Sequence, residues 1–159
     1  MARIPKKIMA AVAGGTMALA VAMIAHFEGV RYQPYYDVVG VLTVCYGHTG
    51  NDIIKDKTYT EQECKALLEK DLSKVKQKVD PLIRVDIDDT TRAAIYSFTY
   101  NVGTGAFTRS TLLKKINSGD TAGACDELNR WVYAGGDVWK GLVSRREVES
   151  AICKMTLSS

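Results

Sequence analysis

A run of twenty uncharged residues near the amino terminus constrains this chain more than any other feature. The run extends from Ile8 to Phe27 and follows three basic residues, Arg3, Lys6 and Lys7. Twenty residues of helix are long enough to cross the ~30 Å hydrocarbon layer of a bilayer. Basic residues before an apolar run predict that they stay in the cytoplasm and that the rest of the chain is exported.

The composition of this run makes it a weak membrane anchor. Between Ile8 and Ala25, seven alanines, two glycines and one threonine accompany eight large apolar residues. At roughly −0.3 to −0.6 kcal/mol each, those eight contribute only about −2 to −5 kcal/mol to insertion. Three interpretations stay open: a permanent anchor, a weak anchor that can leave the membrane, or a signal peptide cleaved after Ala20 or Ala22.

The length and the charge of the chain limit its domain organisation and its possible partners. The chain has 159 residues, of which 47% are hydrophobic and 25% charged, so it can bury a core as one domain or one domain of two small lobes. The net charge of +3 comes from Arg3, Lys6 and Lys7, because the other 18 basic residues balance 18 acidic ones. A nucleic-acid-binding surface needs a concentrated basic excess, so we expect no nucleic-acid partner.

The cysteine content fits an exported protein. Cys45, Cys64, Cys125 and Cys153 make an even number, which predicts disulfides in an oxidising compartment and leaves three pairings open. Buried free thiols are the alternative if the chain stays in the cytosol. Because no Cys-x-x-Cys occurs and only two histidines are present, we expect no zinc or other metal site.

The body of the chain predicts an α+β fold. Residues 31–50 mix tyrosine, valine, leucine and threonine with glycines, as short strands and turns do. Helical spacing begins after residue 58, where Thr60 and Glu63 form a capping-box sequence, and Pro81 ends this helix. A small early sheet followed by a helical majority is typical of the α+β class. Further helices are expected over about 90–101, 110–117, 120–132 and 144–155.

Two acidic residues that follow the apolar run suggest glycoside hydrolysis. Glu28 comes directly after the run, Asp37 nine residues later, and Thr43 six residues after that. Cleavage of a glycosidic bond uses one carboxyl group that holds a proton and a second that stays ionised near the transition state or positions a water. Two acids at this spacing among 18 are weak evidence alone, and solvated surface acids are the alternative interpretation.

The residues around these acids resemble the phage lysozymes of glycoside hydrolase family 24. The pattern Glu28-x8-Asp37-x5-Thr43, followed by Val-Cys-Tyr-Gly-His over residues 44–48, is similar to the catalytic signature of that family. The resemblance covers nearly the whole chain from Ala25 onward. Within the family, the chain is most similar to the exported signal-anchor-release endolysins of lambdoid phages, phage 21 among them. Its further matching segments are residues 60–72, 100–103 and 107–110, Trp131 and the Arg145-Arg146 pair.

The resemblance implies a lysozyme-like fold with a small N-terminal β-sheet lobe and a mainly helical C-terminal lobe. Residues 1–27 would form a weak, releasable signal-anchor that contributes the first helix, and residues 28–159 would form the lysozyme catalytic domain. In this family the catalytic glutamate lies near the end of the first helix. Cleavage inside the apolar run would remove the helix that positions Glu28, so the weak-anchor interpretation is preferred to a discarded signal peptide.

The resemblance also implies the site residues. Glu28 would be the general acid, Asp37 the base or electrostatic stabiliser, and Thr43 would help to hold the water or the sugar. His48 would form a structural pair with Asp71 and would not be a catalytic base. Three further residues match substrate-binding positions in the cleft of the family: Tyr100, Ser110 and Thr49. For each of them, an ordinary helix residue or turn hydroxyl is the alternative interpretation.

A disulfide pairing follows from the same resemblance. Cys45 and Cys64 occupy positions where a family member has glycine and alanine, on neighbouring elements of the fold. The expected pairs are therefore Cys45–Cys64 and Cys125–Cys153. Some related endolysins regulate themselves by disulfide exchange through a cysteine in the anchor or at the second catalytic position. Residues 1–44 contain no cysteine and position 37 is Asp, so we expect no such regulation.

The implied function is that of an endolysin that hydrolyses the β-1,4 bond between N-acetylmuramic acid and N-acetylglucosamine in peptidoglycan and lyses the host cell. We expect the activity to be held off while residues 8–27 lie in the host inner membrane with the C-terminus in the periplasm. After release we expect a soluble, monomeric enzyme without a cofactor. A lytic transglycosylase and a non-catalytic, membrane-tethered wall-binding protein are the alternatives.

Overall fold

Residues 3–155 are described by the computed structural model, and they have the small early sheet and the helical majority that the sequence predicts. The sheet contains three antiparallel strands that pair in chain order: β1 (Arg31–Tyr36), β2 (Leu42–Cys45) and β3 (His48–Thr49). Eight α-helices occupy most of the remaining described residues: α1 (Lys6–Ala11), α2 (Gly15–Glu28), α3 (Glu61–Val79), α4 (Asp89–Val102), α5 (Thr104–Thr108), α6 (Thr111–Asn117), α7 (Thr121–Glu127) and α8 (Lys140–Cys153).

In the folded protein, the charge-free run contributes to two helices, α1 and α2. A 3₁₀ turn, Val12–Gly14, separates α1 from α2. Gly15 follows with a φ of +90°, a conformation that residues with a Cβ rarely adopt, so the helix breaks at this point. A Cβ on Gly14 would lie 2.7 Å from the Cβ of Ala18, which is too close without a shift of the backbone. The two adjacent glycines therefore explain the break.

Helix α2 packs into the centre of the protein. Its side chains Leu19, Ala20, Met23 and Ile24 are fully buried and join a core to which α4 and α8 also contribute. Each large apolar side chain buried in this way stabilises the fold by ~1.5–3 kcal/mol. The stretch Lys6–Glu28 is also apolar and long enough to cross a membrane, the one such stretch among residues 3–155. The same residues thus satisfy the requirements of a membrane span and of a core helix.

Local sequence signals set several helix boundaries. Thr60 and Glu63 form the expected capping box, in which each side chain bonds to the backbone N–H of the other residue. α3 then ends at Val79, and Pro81 lies in the 3₁₀ turn that follows. The helix expected over 120–132 is shorter than predicted, because α7 is followed by the 3₁₀ segment Leu128–Arg130.

The region before α8 differs from the expectation. The segment between the helices expected over 120–132 and 144–155 contains an antiparallel hairpin that was not predicted, β4 (Tyr133–Ala134) and β5 (Asp137–Val138), with Gly135 and Gly136 in its turn. Both glycines have positive φ values, 60° and 87°, which suits a two-residue hairpin turn. Because this hairpin brings the chain back early, α8 begins at Lys140 and not at residue 144.

Two disulfide bonds connect elements of the fold. Cys45–Cys64 joins β2 to α3, and Cys125–Cys153 joins α7 to α8, which are the pairs that the resemblance implies. Cys45 has a φ of +62°, in the left-handed region where glycine is favoured. Glycine would therefore fit the backbone at this position better than cysteine does.

Candidate active site

Glu28 is the last residue of α2, and the conformation of Gly29 ends the helix there. Nη1 of Arg145 on α8 donates a hydrogen bond to Oε2 of Glu28 at 2.7 Å. The other carboxylate oxygen, Oε1, lies against Gly47, where a Cβ would stand 3.4 Å from it. The hydrogen bond from Arg145 holds the carboxyl group in place. The Glu28 side chain is 23% exposed, so it still reaches solvent.

Arg145 belongs to a buried ion network that links α2, α4 and α8. Its Nε donates to Oε2 of Glu149 at 3.2 Å, and its Nη2 donates to the carbonyl oxygen of Ser97 at 3.0 Å. Glu149 also accepts from Nη1 of Arg146 at 2.8 Å. Both arginines and Glu149 are buried, and Glu28 is the second carboxyl group that Arg145 contacts.

Asp37 lies in the turn between β1 and β2 and fixes the shape of that turn. Its Oδ1 accepts hydrogen bonds from the backbone N–H groups of Val39 at 3.0 Å and Val41 at 2.9 Å. Its own N–H donates to the carbonyl oxygen of Val41 at 2.9 Å. Asp37 is therefore presented by a rigid turn at the end of the sheet.

Thr43 is connected to the same turn. Its hydroxyl donates to the carbonyl oxygen of Val41 at 2.9 Å, and the side chain is buried. Val41 thus accepts from both Asp37 and Thr43. In this arrangement Thr43 positions the turn that carries Asp37.

Two of the three predicted cleft residues lie together beside Glu28. Tyr100 and Thr49 line a cavity of about 320 Å³. Gly47 and three residues of α3, among them Asp71, line the rest of it. The Tyr100 hydroxyl donates to the carbonyl oxygen of Tyr46 at 2.7 Å. Burial raises the pKa of Tyr100, and the nearby carboxylates of Asp71 and Glu28 raise the pKa further, so Tyr100 is a neutral donor.

The third predicted cleft residue, Ser110, is not among the residues that line this cavity. It is the N-cap of α6, where its hydroxyl accepts from the N–H of Leu113 at 3.1 Å and donates to the carbonyl oxygen of Phe107 at 2.7 Å. The side chain is buried. The geometry therefore gives Ser110 a capping role and does not bring it to the cavity that Tyr100 lines.

His48 contacts two carboxylates. Nδ1 lies 2.7 Å from Oδ2 of Asp71, and Nε2 lies 2.9 Å from Oδ1 of Asp52. Burial by itself lowers the pKa of His48, but the hydrogen bonds to Asp71 and Asp52 outweigh burial and leave the pKa above its ordinary value. The pair with Asp71 was expected; Asp52 was missed, although its separation of four residues from His48 is a detectable local signal.

The sequence interpretation also missed the contact between Arg145 and Glu28. Arg145 and Arg146 were recognised only as part of a motif. Their spacing to Glu149 is typical of ion pairs within one helix, which could have indicated the internal half of the network. The half that reaches Glu28 depends on how α8 packs against α2, and no local pattern encodes that packing.

The sequence is similar to known proteins over most of its length. Residues 25–149 match the sequence model of a family described as Phage lysozyme. A SAR-endolysin of Bacteriophage PS119 is 62% identical over 152 residues, which cover 92% of this chain and 91% of that protein. A SAR-endolysin of Enterobacteria phage P21 is 56% identical over 154 residues and covers 93% of both chains.

The structure is similar to that of a solved lysozyme. A mutant of P22 lysozyme superposes with a TM-score of 0.77 at 29% sequence identity, and the match covers 96% of this chain and 98% of that one. The likeness extends from the early sheet through the helical part, and it confirms the expected fold class.

Proposed function

The chain belongs to the phage lysozyme family, and from this premise we propose that it is an endolysin that cleaves the β-1,4 bond between N-acetylmuramic acid and N-acetylglucosamine in peptidoglycan. Family membership supports a lysozyme-type glycosidase over the non-catalytic wall-binding alternative. The bond that is cleaved, the roles of the site residues and the topology in the membrane are the parts that we propose.

The position of Glu28 carries this proposal. The residue ends a core helix, is partly exposed, and is hydrogen-bonded through Oε2 to Arg145. Arg145 keeps its charge and donates to Oε2, so Oε1 is the oxygen that would carry the proton for the leaving group. Gly47 has no side chain beside Oε1, which leaves space for a sugar to approach that oxygen.

Asp37 is the proposed second carboxylate. It would stay ionised and would either position the attacking water or stabilise the positive charge of the transition state. The hydrogen bonds to Val39 and Val41 fix one oxygen of Asp37, so the carboxylate would not reorganise during the reaction. Thr43 would stabilise this turn through its hydrogen bond to Val41. Tyr100 and Thr49 would contact the sugar from the neighbouring cavity.

The apolar run is proposed to control the activity. While residues 8–27 span the inner membrane, with the C-terminus in the periplasm, they cannot pack against α4. Glu28 is then separated from Arg145, and the site is incomplete. After release, burial of Leu19, Met23 and Ile24 stabilises the folded enzyme over the unpacked form. The released enzyme would act as a monomer in the periplasm.

Treatment of purified sacculi with the soluble protein tests the proposed reaction. Wild-type protein should release fragments whose reducing ends carry the added water, whereas a lytic transglycosylase would leave anhydro-muramic ends. Glu28→Gln should reduce cleavage at least ~10²–10⁴-fold, because the amide keeps the shape and loses the transferable proton. Wild-type cleavage rates in Glu28→Gln, with unchanged circular dichroism, would remove Glu28 from the role of general acid.

A further inference from the structure

The exposed apolar side chains of this protein are concentrated in two hairpins. Ten large hydrophobic side chains are exposed among the described residues, and seven of them lie within residues 36–41 or 133–139. Isolated exposed apolar residues are ordinary, but clusters of them mark surfaces that bind a partner. We refer to residues 36–41 as the β1–β2 tip and to residues 133–139 as the β4–β5 hairpin.

The β1–β2 tip exposes apolar side chains beside the candidate catalytic Asp37. Val38 is fully exposed and Val39 is 77% exposed, with Tyr36 and Val41 on either side. The backbone of the tip is held by the hydrogen bonds that Asp37 accepts. The valines are therefore presented to solvent by a fixed turn, and burial within the protein does not account for their apolar character.

The β4–β5 hairpin presents a fixed aromatic surface. Trp139 is 57% exposed, and Tyr133 and Val138 beside it are also exposed. Nε1 of Trp139 donates to the carbonyl oxygen of Ala134 at 2.9 Å, so the orientation of the indole is set within the hairpin. Since the indole N–H already donates to Ala134, a ligand would contact the face and edges of the Trp139 ring.

Both hairpins are connected to the candidate catalytic carboxylates. The β1–β2 tip contains Asp37 itself. Trp139 immediately precedes α8, and Arg145 lies six residues further along that helix. At 1.5 Å per residue, this separation is about 9 Å along the helix axis. The aromatic surface is thus placed by the same helix that positions Glu28 through Arg145.

We propose that the β1–β2 tip and the β4–β5 hairpin hold the glycan strand of peptidoglycan at the site, with Trp139 as the main contact. This inference rests on the proposed function and adds the residues that bind the substrate. A sugar ring presents C–H groups on its faces, and N-acetyl and lactyl substituents add methyl groups. These apolar groups complement exposed valine and aromatic side chains, whereas polar groups of the sugar suit the cavity that Tyr100 lines.

The test compares variants in cleavage of purified sacculi by the full-length, soluble protein. Trp139→Ala and Val38→Ser–Val39→Ser remove the proposed contacts, and Ile54→Ser is the matched control because Ile54 is 58% exposed and lies on neither hairpin. Trp139→Phe loses the hydrogen bond to Ala134 and keeps an aromatic face. It therefore separates a binding role of the ring from a structural role of the indole N–H.

We expect Trp139→Ala to raise the apparent KM about tenfold, equivalent to a loss of ~1.4 kcal/mol of binding, while kcat stays near the wild-type value. The double valine variant should show a smaller rise, and Trp139→Phe and Ile54→Ser should stay close to wild type. Sedimentation of Glu28→Gln protein with sacculi should weaken in parallel when Trp139→Ala is added, since this readout needs no catalysis.

Three results would overturn the inference. The first is an unchanged KM and unchanged sacculus binding in Trp139→Ala. The second is equal loss in Trp139→Ala and Trp139→Phe, which would assign a structural role to the indole N–H. The third is a Trp139→Ala variant that binds vesicles of anionic lipid more weakly than the wild type does but binds sacculi equally well. This result would identify a membrane contact. Failure of the proposed function would show instead as uncut sacculi with wild-type protein, and the sedimentation assay would still decide the inference.

Discussion

Arg145 on α8 donates a 2.7 Å hydrogen bond to Glu28 at the end of α2, across 117 positions of sequence. The candidate acid is therefore fixed by the C-terminal helix as well as by its own helix. Glu28 reaches Arg145 only when α2 is packed in the core. The contact that fixes the candidate acid therefore depends on the packing of α2 in the core.

Arg145→Gln should destabilise the soluble protein by about 3–5 kcal/mol, because Arg145 is a buried partner of two carboxyl groups and its removal breaks both ion pairs. Arg145 is 4% exposed and contacts both Glu28 and Glu149. Urea unfolding measures the free energy of unfolding.

Arg130→Gln is the control. Arg130 pairs with Glu127, but the Arg130 side chain is 80% exposed, so the loss of unfolding free energy should stay below about 1 kcal/mol. Equally small losses in both variants would contradict a coupled ion network.

Protonated His48 should stabilise the fold in a pH-dependent manner. The folded-state pKa of His48 is raised, despite burial, by its hydrogen bonds to Asp71 and Asp52. The stabilisation is therefore complete below the unfolded pKa of about 6.5 and is lost as the pH rises through the folded pKa. The difference in unfolding free energy between wild type and His48→Gln should shrink as the pH rises above about 6.5. A constant difference over this range would contradict the predicted linkage.

Without the Cys45–Cys64 bond, the stability of the protein should depend on which residue occupies position 45. In the chain-entropy description each disulfide is worth about 2–4 kcal/mol, and both bonds close loops of similar size. Because Cys45 has a φ of +62°, Cys45→Gly–Cys64→Ala should be more stable than Cys45→Ala–Cys64→Ala by ~1 kcal/mol. Mass spectrometry of the unreduced wild type should show no free thiol. Equal stability of the two double variants would argue against a left-handed residue 45.

The timing of lysis should follow the hydrophobicity of the apolar run. Ala10 and Ala13 are exposed in the folded protein, so substitutions there should change membrane insertion without disturbing the core. Ala10→Leu–Ala13→Leu adds two leucines, each of which favours insertion by about 0.3–0.6 kcal/mol, and should delay lysis. Ala10→Ser–Ala13→Ser is the matched polar control and should advance lysis. Identical lysis times, with equal activity of the purified proteins, would contradict release from the membrane.

Gly14 and Gly15 are poor positions for that experiment. Gly15 has a positive φ, and a side chain at Gly14 would collide with Ala18. Leucine at either position would alter the folded enzyme as well as the membrane span. A delay of lysis in such variants would therefore not distinguish slow release from poor folding.

The elements that local chemistry specifies could be predicted from the sequence. The capping box at Thr60 and Glu63 starts α3, and Pro81 follows its end, because both act on neighbouring backbone groups. The catalytic candidates Glu28, Asp37 and Thr43 were identified because the motif around them resembles that of the phage lysozymes. These signals extend over a few residues, and a single sequence displays them directly.

The features that depend on packing could not be predicted in this way. The α2–α8 contact that joins Glu28 to Arg145, and the second carboxylate on His48, follow from tertiary structure. Ser110 was matched to the cleft by resemblance, and its capping of α6 became visible only in the structure. The β4–β5 hairpin was missed because two adjacent glycines permit either a break or a tight turn, and the sequence does not choose between them.

The central claim is that one segment is first a membrane anchor and then the helix that carries Glu28. The most direct test is the intact mass and the lytic activity of the protein in membrane and soluble periplasmic fractions, before and after the membrane is de-energised. The account predicts that protein of unchanged mass moves from the membrane to the soluble fraction and that only the soluble protein is active. A soluble active form that lacks the apolar run, or full activity in the membrane fraction, would contradict it.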